Sequence, residues 1–274
     1  MNGLEHIQSA FDQARAAGRA ALMPYFTLGY PTPEASLAVI EALAGAGADL
    51  IELGVPFSDP LADGPTIQHS TQVALEQGMT VARCLELVRQ IRARGVSQPL
   101  LLMGYINPIL AYGVEEYVRA AAEAGASGLI IPDLPPEEAA EVEAACRARA
   151  LALVYLAAPN SSPARLAALA QRTGGFLYLV SLTGVTGARR SLADGLAEFV
   201  ARARAVARTP LAVGFGISRP DQAAAVAQLA DGVIIGSALI QAAGQSDRPA
   251  EAAGAFLREI RAALLNPRLD QPPQ

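Results

Sequence analysis

One joint between a helix and a strand recurs along the chain, and it limits the possible folds more than any other feature. The segments ALAGAGADLIELG (42–54), AAEAGASGLIIPD (121–133) and AVAQLADGVIIGS (225–237) share one design. In each, a helix ends at a small residue, the chain turns, and an apolar strand runs into a polar end. Such a joint is typical of β/α repeats. The sequence therefore indicates an α/β fold built from repeated units.

Eight short apolar runs predict the strands of this fold. They do not alternate with polar residues, which favours parallel strands buried on both faces. The predicted strands are Ala21–Thr27, Asp49–Val55, Pro99–Ile106, Gly128–Pro132, Ala152–Ala157, Phe176–Leu182, Pro210–Gly214 and Asp231–Ile235. Eight such units in about 250 residues predict a single (β/α)8 TIM barrel rather than an open doubly wound sheet.

Alanine-rich stretches of helical period separate the strands. The clearest are Pro33–Ala46, Val114–Ala124, Pro136–Ala148 and Asp194–Ala207. Met1–Ala17 predicts an extra N-terminal helix across the bottom of the barrel. We expect residues 1–265 to form one catalytic domain, and residues 266–274, with three prolines, to form a flexible tail.

Composition argues against several classes of partner and location. The formal net charge of -5 is spread without long charge runs, which argues against nucleic acid and anionic membranes as partners. No apolar stretch approaches the roughly 20 residues that cross a bilayer. The first residues lack the basic and apolar segments of a targeting signal. With Cys84 and Cys146 interpreted as reduced thiols, we expect a cytoplasmic protein.

The residue types also limit the chemistry. The sequence contains no lysine, which excludes a Schiff-base mechanism. Its two histidines, His6 and His69, lie in unrelated segments. That placement argues against a histidine-rich metal site and against a Ser-His-Asp triad. We therefore expect no metal in this chain.

Three carboxylates follow the second predicted strand, at the barrel end where active sites form. Glu52 lies between Ile51 and Leu53, and Asp59 and Asp63 follow in a loop without a basic residue. Glu52 is either a general acid/base with a raised pKa or the partner of an arginine at the rim. Asp63 is either functional or a turn residue. Asp59 precedes a proline, and taken by itself it indicates only an ordinary loop residue.

Two glycine-bearing segments follow the seventh and eighth strands, where barrels of this type often bind phosphate. They are GFGIS (214–218) and GSA (236–238). The alternative is that Ser218 and Ser237 are helix N-caps, and both interpretations can hold together. The segment LTGVTGARRS (182–191) is either a lid or an ordinary loop.

Six segments together resemble one family, the α subunit of tryptophan synthase. They are ELGVPFSDPLADGPTIQ, LMGYINPIL, IPDLPPEE, SLTGVTGAR, GFGIS and GSA, in the family's order, and the resemblance covers roughly Phe11 to Leu264. It implies a (β/α)8 barrel that cleaves indole-3-glycerol phosphate to indole and glyceraldehyde 3-phosphate. It also implies an α2β2 complex, in which indole passes to a β subunit that carries pyridoxal phosphate. This chain would need no cofactor of its own.

The resemblance also implies residue roles. The catalytic pair matches Glu52 and Asp63. The phosphate-binding positions match Gly187, Gly216, Gly236 and Ser237. The indole-pocket positions match Tyr25, Tyr105 and Tyr178. The mobile loops match Pro56–Asp63 and Leu182–Ser191, with Thr186 closing over Asp63. The positions that face the β subunit match Asp59, Asn107 and Pro135.

This reaction gives the acidic cluster a chemical purpose. Without lysine, the indole ring must accept the electrons of the broken carbon–carbon bond, which requires protonation at C3 and a cationic ring nitrogen. Glu52 can move the proton, and Asp63 can stabilise the cation. Two alternatives stay open. One is another phosphate-binding barrel similar to phosphoribosylanthranilate isomerase, a group that lacks the PFSDPLADGP segment. The other is a weakly catalytic subunit that activates a partner.

Overall fold

Nine hydrogen-bonded strands form one parallel sheet in the computed structural model, which describes residues 2–180, 189–214 and 216–265. The strands are β1 (Ala21–Thr27), β2 (Ile51–Gly54), β3 (Leu100–Met103), β4 (Gly128–Ile130), β5 (Ala152–Val154), β6 (Leu156–Ala157), β7 (Leu177–Val180), β8 (Leu211–Gly214) and β9 (Gly232–Ile235). Nearly all of their residues are buried, because helices cover the outer face and side chains fill the interior.

The sheet closes on itself into a barrel. Its strand order is β5-β4-β3-β2-β1-β9-β8-β7-β6, and the two ends of that order are halves of one chain segment, interrupted only at Tyr155. Tyr178 N–H donates to the Tyr155 carbonyl across this junction at 3.0 Å. The nine short strands therefore occupy eight barrel positions, which confirms the predicted (β/α)8 barrel.

Helices connect the strands in sequence. They are α1 (Gly3–Ala16), α2 (Pro33–Gly45), α3 (Pro65–Glu76), α4 (Val81–Ala93), α5 (Ile106–Tyr112), α6 (Val114–Ala124), α7 (Ala140–Ala148), α8 (Pro163–Arg172), α9 (Arg189–Arg204), α10 (Pro220–Ala227), α11 (Ser237–Gly244) and α12 (Pro249–Leu265). A 3-10 turn, Pro136–Glu138, precedes α7. Within the described ranges, no helix is both long and apolar enough to cross a membrane.

The extra N-terminal helix is present as α1. Asn2 caps it, and a reciprocal hydrogen bond with Glu5 completes a capping box. Its apolar face buries Ile7 and Phe11, and the Phe11 ring lies 5.7 Å from that of Phe176, which directly precedes β7. This helix therefore covers the N-terminal end of the barrel, opposite the strand ends where Glu52 lies.

Several predicted boundaries were wrong by a few residues. The third strand ends at Met103 instead of reaching Ile106, because the chain turns at Gly104 and enters α5. The helix expected over Pro136–Ala148 begins as the 3-10 turn and becomes α-helical only at Ala140. The segment 182–191 does not remain a loop to its end, since α9 begins at Arg189. Residues 266–274, the expected tail, lie outside the described residues.

Candidate active site

A cavity of about 370 Å³ opens at the C-terminal ends of the strands. Its lining combines two carboxylates, two tyrosines, a ring of aliphatic side chains and the starts of two helices. The lining residues are Tyr25, Glu52, Asp63, Gly64, Ile67, Met103, Tyr178, Gly216, Ile217, Ser218, Ile234, Gly236, Ser237, Ala238 and Gln241. Five of the predicted site residues, besides Tyr25 and Tyr178, thus converge on one place: Glu52, Asp63, Gly216, Gly236 and Ser237.

Glu52 is the most unusual side chain of this cavity. It is 0% exposed, and neither carboxylate oxygen has a hydrogen-bond partner among the described residues. Burial alone raises the pKa of Glu52 from 4.5 to about 8. A buried polar group without a partner is costly and commonly marks a functional site. The alternative of an arginine partner for Glu52 is wrong within the described part of the chain.

Asp63 lies at the cavity wall, just before Gly64, the N-cap of α3. Desolvation raises the pKa of Asp63 to about 6, although a hydrogen bond from the Tyr105 hydroxyl acts in the opposite direction. The same hydroxyl accepts a hydrogen bond from Ala62 N–H at 2.9 Å. At neutral pH the cavity therefore holds a protonated Glu52 and an ionised Asp63.

Two tyrosines, Tyr25 and Tyr178, line the cavity from the barrel interior. Tyr25 of β1 is in register with Glu52 of β2, so their side chains share the inner face. A Cβ atom at Gly54 would lie 2.1 Å from the Tyr25 hydroxyl, and one at Gly214 would lie 2.3 Å from that of Tyr178. These two glycines thus make room for the tyrosines. Burial is the main reason that the pKa of each hydroxyl is raised, so both remain neutral donors.

The two glycine segments end beside the cavity. Gly216 has a positive φ of 74°, a conformation that favours glycine. Gly236 precedes α11, whose first residue is Ser237. Neither Ser218 nor Ser237 is an N-cap, because Arg219 and Gly236 occupy those positions. The capping interpretation was therefore wrong. The start of α11 lines the cavity and has no side-chain cap, which leaves its first N–H groups without a side-chain partner there.

A second cavity of about 240 Å³ adjoins the first on the outside of the Asp63 loop. Phe57, Asp59, Tyr105, Asn107 and Asp133 line it together with Leu61 and Ala62. Leu61 is 93% exposed. Tyr105 thus lies behind Asp63 and not among the residues that line the main cavity. Pro135 is half-buried beyond Asp133, before the 3-10 turn.

Two predicted residues, Thr186 and Gly187, lie outside the described residues, as do residues 182–188 of the predicted lid. Sequence reasoning missed several others. Ile67, Met103, Ile234 and Gln241 line the main cavity. Met103 and Ile234 lie at or near the C-terminal ends of their strands. Their position in the predicted strands was therefore enough to predict them as cavity residues. Gln241 carries no sequence signal, because only the placement of α11 brings it to the cavity.

The fold and the site together define a class of protein. A (β/α)8 barrel with two carboxylates in one cavity at the C-terminal ends of its strands has the architecture of an enzyme. The helix start in the cavity wall suits a phosphorylated substrate.

Comparison with known proteins agrees with this class. The sequence profile of the family "Tryptophan synthase alpha chain" matches residues 11–263. The alpha chain of Chloroflexus aurantiacus is 51% identical over 267 residues, which cover 96% of this chain and 100% of that one. The alpha chain of Roseiflexus sp. is 49% identical over 94% of this chain and 100% of its own length.

Solved structures give the same result. The alpha subunit from Legionella pneumophila superposes with a TM-score of 0.89 at 39% identity, covering 97% of this chain and 99% of that one. A Mycobacterium tuberculosis tryptophan synthase chain gives 0.86 at 43% identity, covering 94% and 97%. This chain belongs to the tryptophan synthase alpha chain family. It is a lyase subunit of tryptophan biosynthesis, and membership implies a beta-subunit partner.

Proposed function

We propose that this chain performs the alpha reaction, the cleavage of indole-3-glycerol phosphate, with Glu52 as general acid/base and Asp63 as the anion beside the ring nitrogen. One observation carries the proposal. Glu52 is fully buried, has no hydrogen-bond partner among the described residues, and lines the same cavity as Asp63. A protonated carboxylic acid in an apolar wall is ready to give its proton to carbon.

In this proposal Glu52 takes part in two proton transfers during each catalytic cycle. The Glu52 carboxylic acid protonates indole C3, which leaves the ring nitrogen cationic and Glu52 ionised. The Glu52 carboxylate next accepts the proton of the hydroxyl on the attached glycerol carbon. The carbon–carbon bond breaks, its electron pair returns to the ring, and the oxygen becomes the carbonyl of glyceraldehyde 3-phosphate. Indole leaves neutral, and Glu52 is protonated again.

Asp63 supports this cycle electrostatically. An ionised carboxylate near the ring N–H stabilises the positive charge that forms after protonation. The Tyr105 hydroxyl holds Asp63 from behind by its hydrogen bond. Tyr25 and Tyr178 supply flat, neutral walls for an aromatic ring. Gly216, Gly236 and Ser237 bring backbone N–H groups to the phosphate, Gly187 is a further phosphate-binding position, and Thr186 closes over Asp63.

The assembly follows from the same family. We propose an α2β2 complex, in which Asp59, Asn107 and Pro135 face the beta subunit. The exposed Leu61 beside the second cavity supports an apolar contact there. Pyridoxal phosphate belongs to the beta subunit, and this chain acts without a cofactor or metal of its own. We place the complex in the cytoplasm, with neither nucleic acid nor membrane as a partner.

The direct test is release of indole from indole-3-glycerol phosphate by the purified chain. Glu52→Gln keeps the shape of the side chain but removes the proton, so turnover should fall by at least about 10²-fold. The unfolding temperature of the variant serves as the control for folding. Near-normal turnover by a folded variant would rule out this role of Glu52.

The pH dependence gives a second test. The reaction requires Asp63 ionised and Glu52 protonated, so kcat/KM should rise as the pH passes about 6 and fall as it passes about 8. Steady-state kinetics from pH 5 to about pH 9 measure both limbs. A profile that shows neither limb between pH 5 and about pH 9 contradicts the assignment.

A further inference from the structure

One side-chain hydrogen bond joins the two helices whose starts line the active-site cavity. Gln241 Nε2 on α11 donates to Thr66 Oγ1 on α3 at 3.1 Å. Helix α3 starts two residues after Asp63, and α11 starts at Ser237. The bond therefore connects the proposed phosphate end of the cavity to the segment that carries the proposed catalytic aspartate.

The start of α3 is held locally by Pro65 at its first position and by Gln68, whose Nε2 donates to the Asp63 carbonyl at 2.9 Å, but it lacks a side-chain cap. Its N-cap is Gly64, which provides no side-chain hydrogen bond, and its first turn contains no acidic residue. Deeper in the helix, Ser70 Oγ lies 2.7 Å from Thr27 Oγ1 of β1, and both residues are buried. That contact anchors the second turn. In the first turn of α3, Thr66 links this helix to α11, because its hydroxyl accepts the hydrogen bond from Gln241.

The geometry of α11 suits it for transmitting a displacement. Ser237 and Gln241 are four residues apart, so they lie on one face of the helix, and both line the cavity. A phosphate held at the N-terminus of α11 fixes this helix relative to the ligand. Gln241 then fixes the first turn of α3, three residues after Asp63.

We infer that Gln241 is a positioning residue, which acts through Thr66 to couple phosphate binding to the placement of Asp63. The inference rests on the proposed function, because it takes the phosphate to Ser237 and the ring nitrogen to Asp63. The coupling is worth no more than one partly exposed hydrogen bond, or about twofold to tenfold in a rate or binding constant. Indole affinity reports the placement of Asp63, and glycerol 3-phosphate occupies the phosphate end without the ring.

The test uses matched variants of both partners. Thr66→Val and Gln241→Met remove the hydrogen bond while keeping nearly the same shape, and Thr66→Ser keeps the hydroxyl. For each we would measure kcat and KM, the Kd of glycerol 3-phosphate alone, and the Kd of indole with and without saturating glycerol 3-phosphate. A residue with only a structural role changes stability but does not change the effect of one ligand on the other.

In the wild type, glycerol 3-phosphate should tighten indole binding by about twofold to tenfold. Thr66→Val and Gln241→Met should each abolish this effect and lower kcat by a similar factor, while the Kd of glycerol 3-phosphate alone changes by less than about twofold. Thr66→Ser should behave as the wild type. The double variant Thr66→Val/Gln241→Met should lose no more than either single variant, since both remove one bond.

Three results would overturn the inference. They are unchanged coupling in Thr66→Val, equal losses in Thr66→Ser and Thr66→Val, or losses that add in the double variant. Failure of the proposed function gives other results. In that case the wild type releases no indole, or Glu52→Gln remains active, and the inference is then wrong as well. If the wild type is active and Glu52→Gln is inactive, only the coupling is under test.

Discussion

At the scale of single residues, the buried carboxyl of Glu52 lowers the stability of the fold as the pH rises. Its pKa rises from 4.5 to about 8 on folding, so its contribution to stability is complete below about pH 4.5 and is lost as the pH rises through about 8. Glu52→Gln removes this loss. We expect the variant to be more stable than the wild type at pH 8, by on the order of a few kcal/mol, with the difference vanishing near pH 4.5. Urea denaturation at several pH values measures the difference.

Asp63 does not confuse this comparison. The pKa of Asp63 is raised in the same direction, and Asp63 is present in both proteins, so its effect cancels in the difference. A constant difference in the free energy of unfolding between pH 4.5 and pH 8 would mean that Glu52 titrates normally.

At the scale of elements, α11 should recognise phosphate through its uncapped start. A Cβ atom at Gly236 would lie 3.4 Å from the Tyr25 Cβ atom, so the protein has room for a methyl group there. The added methyl group should nevertheless hinder backbone approach to a phosphate. We expect Gly236→Ala to weaken glycerol 3-phosphate by about tenfold while indole binding changes by less than about twofold. Titration calorimetry with each ligand decides this, and equal losses would indicate general distortion.

At the scale of the whole molecule, Asp49 joins the beginning and the end of the chain. Its carboxylate accepts hydrogen bonds from Arg19 at 2.6 Å and 2.8 Å and from Arg261 on α12 at 2.9 Å. The Arg19 side chain is 5% exposed, so Asp49→Ala would leave a buried guanidinium without this partner. We expect a loss of about 3–5 kcal/mol in the free energy of unfolding.

A matched control is available on α1. Asp12 forms an ion pair with Arg15 in which both side chains are more than half exposed. Asp12→Ala should change the free energy of unfolding by less than about 1 kcal/mol. Similar losses in the two variants would show that the Asp49 cluster contributes no more than a surface pair.

Much of this architecture was predictable because it follows from local patterns. Apolar runs such as 152–157 and the repeated joints predicted the barrel, and strand ends placed Glu52, Tyr25 and Tyr178 at one rim. Helix boundaries were less predictable. Ser218 and Ser237 have the residue type of N-caps, yet the chain enters α10 and α11 at Arg219 and Gly236. Residue type favours a cap, but the path of the preceding strand and loop decides which residue occupies it.

Local sequence therefore determined the order of strands and helices and supplied the two candidate carboxylates, because each depends on residue type or on near neighbours. Barrel closure decided the rest. It brought Tyr25 into register with Glu52, excluded water from Glu52 and so raised its pKa, and placed Gln241 against Thr66, 175 residues away in sequence. Desolvation and contacts between distant helices are properties of the packed molecule, and no single segment of the sequence carries them.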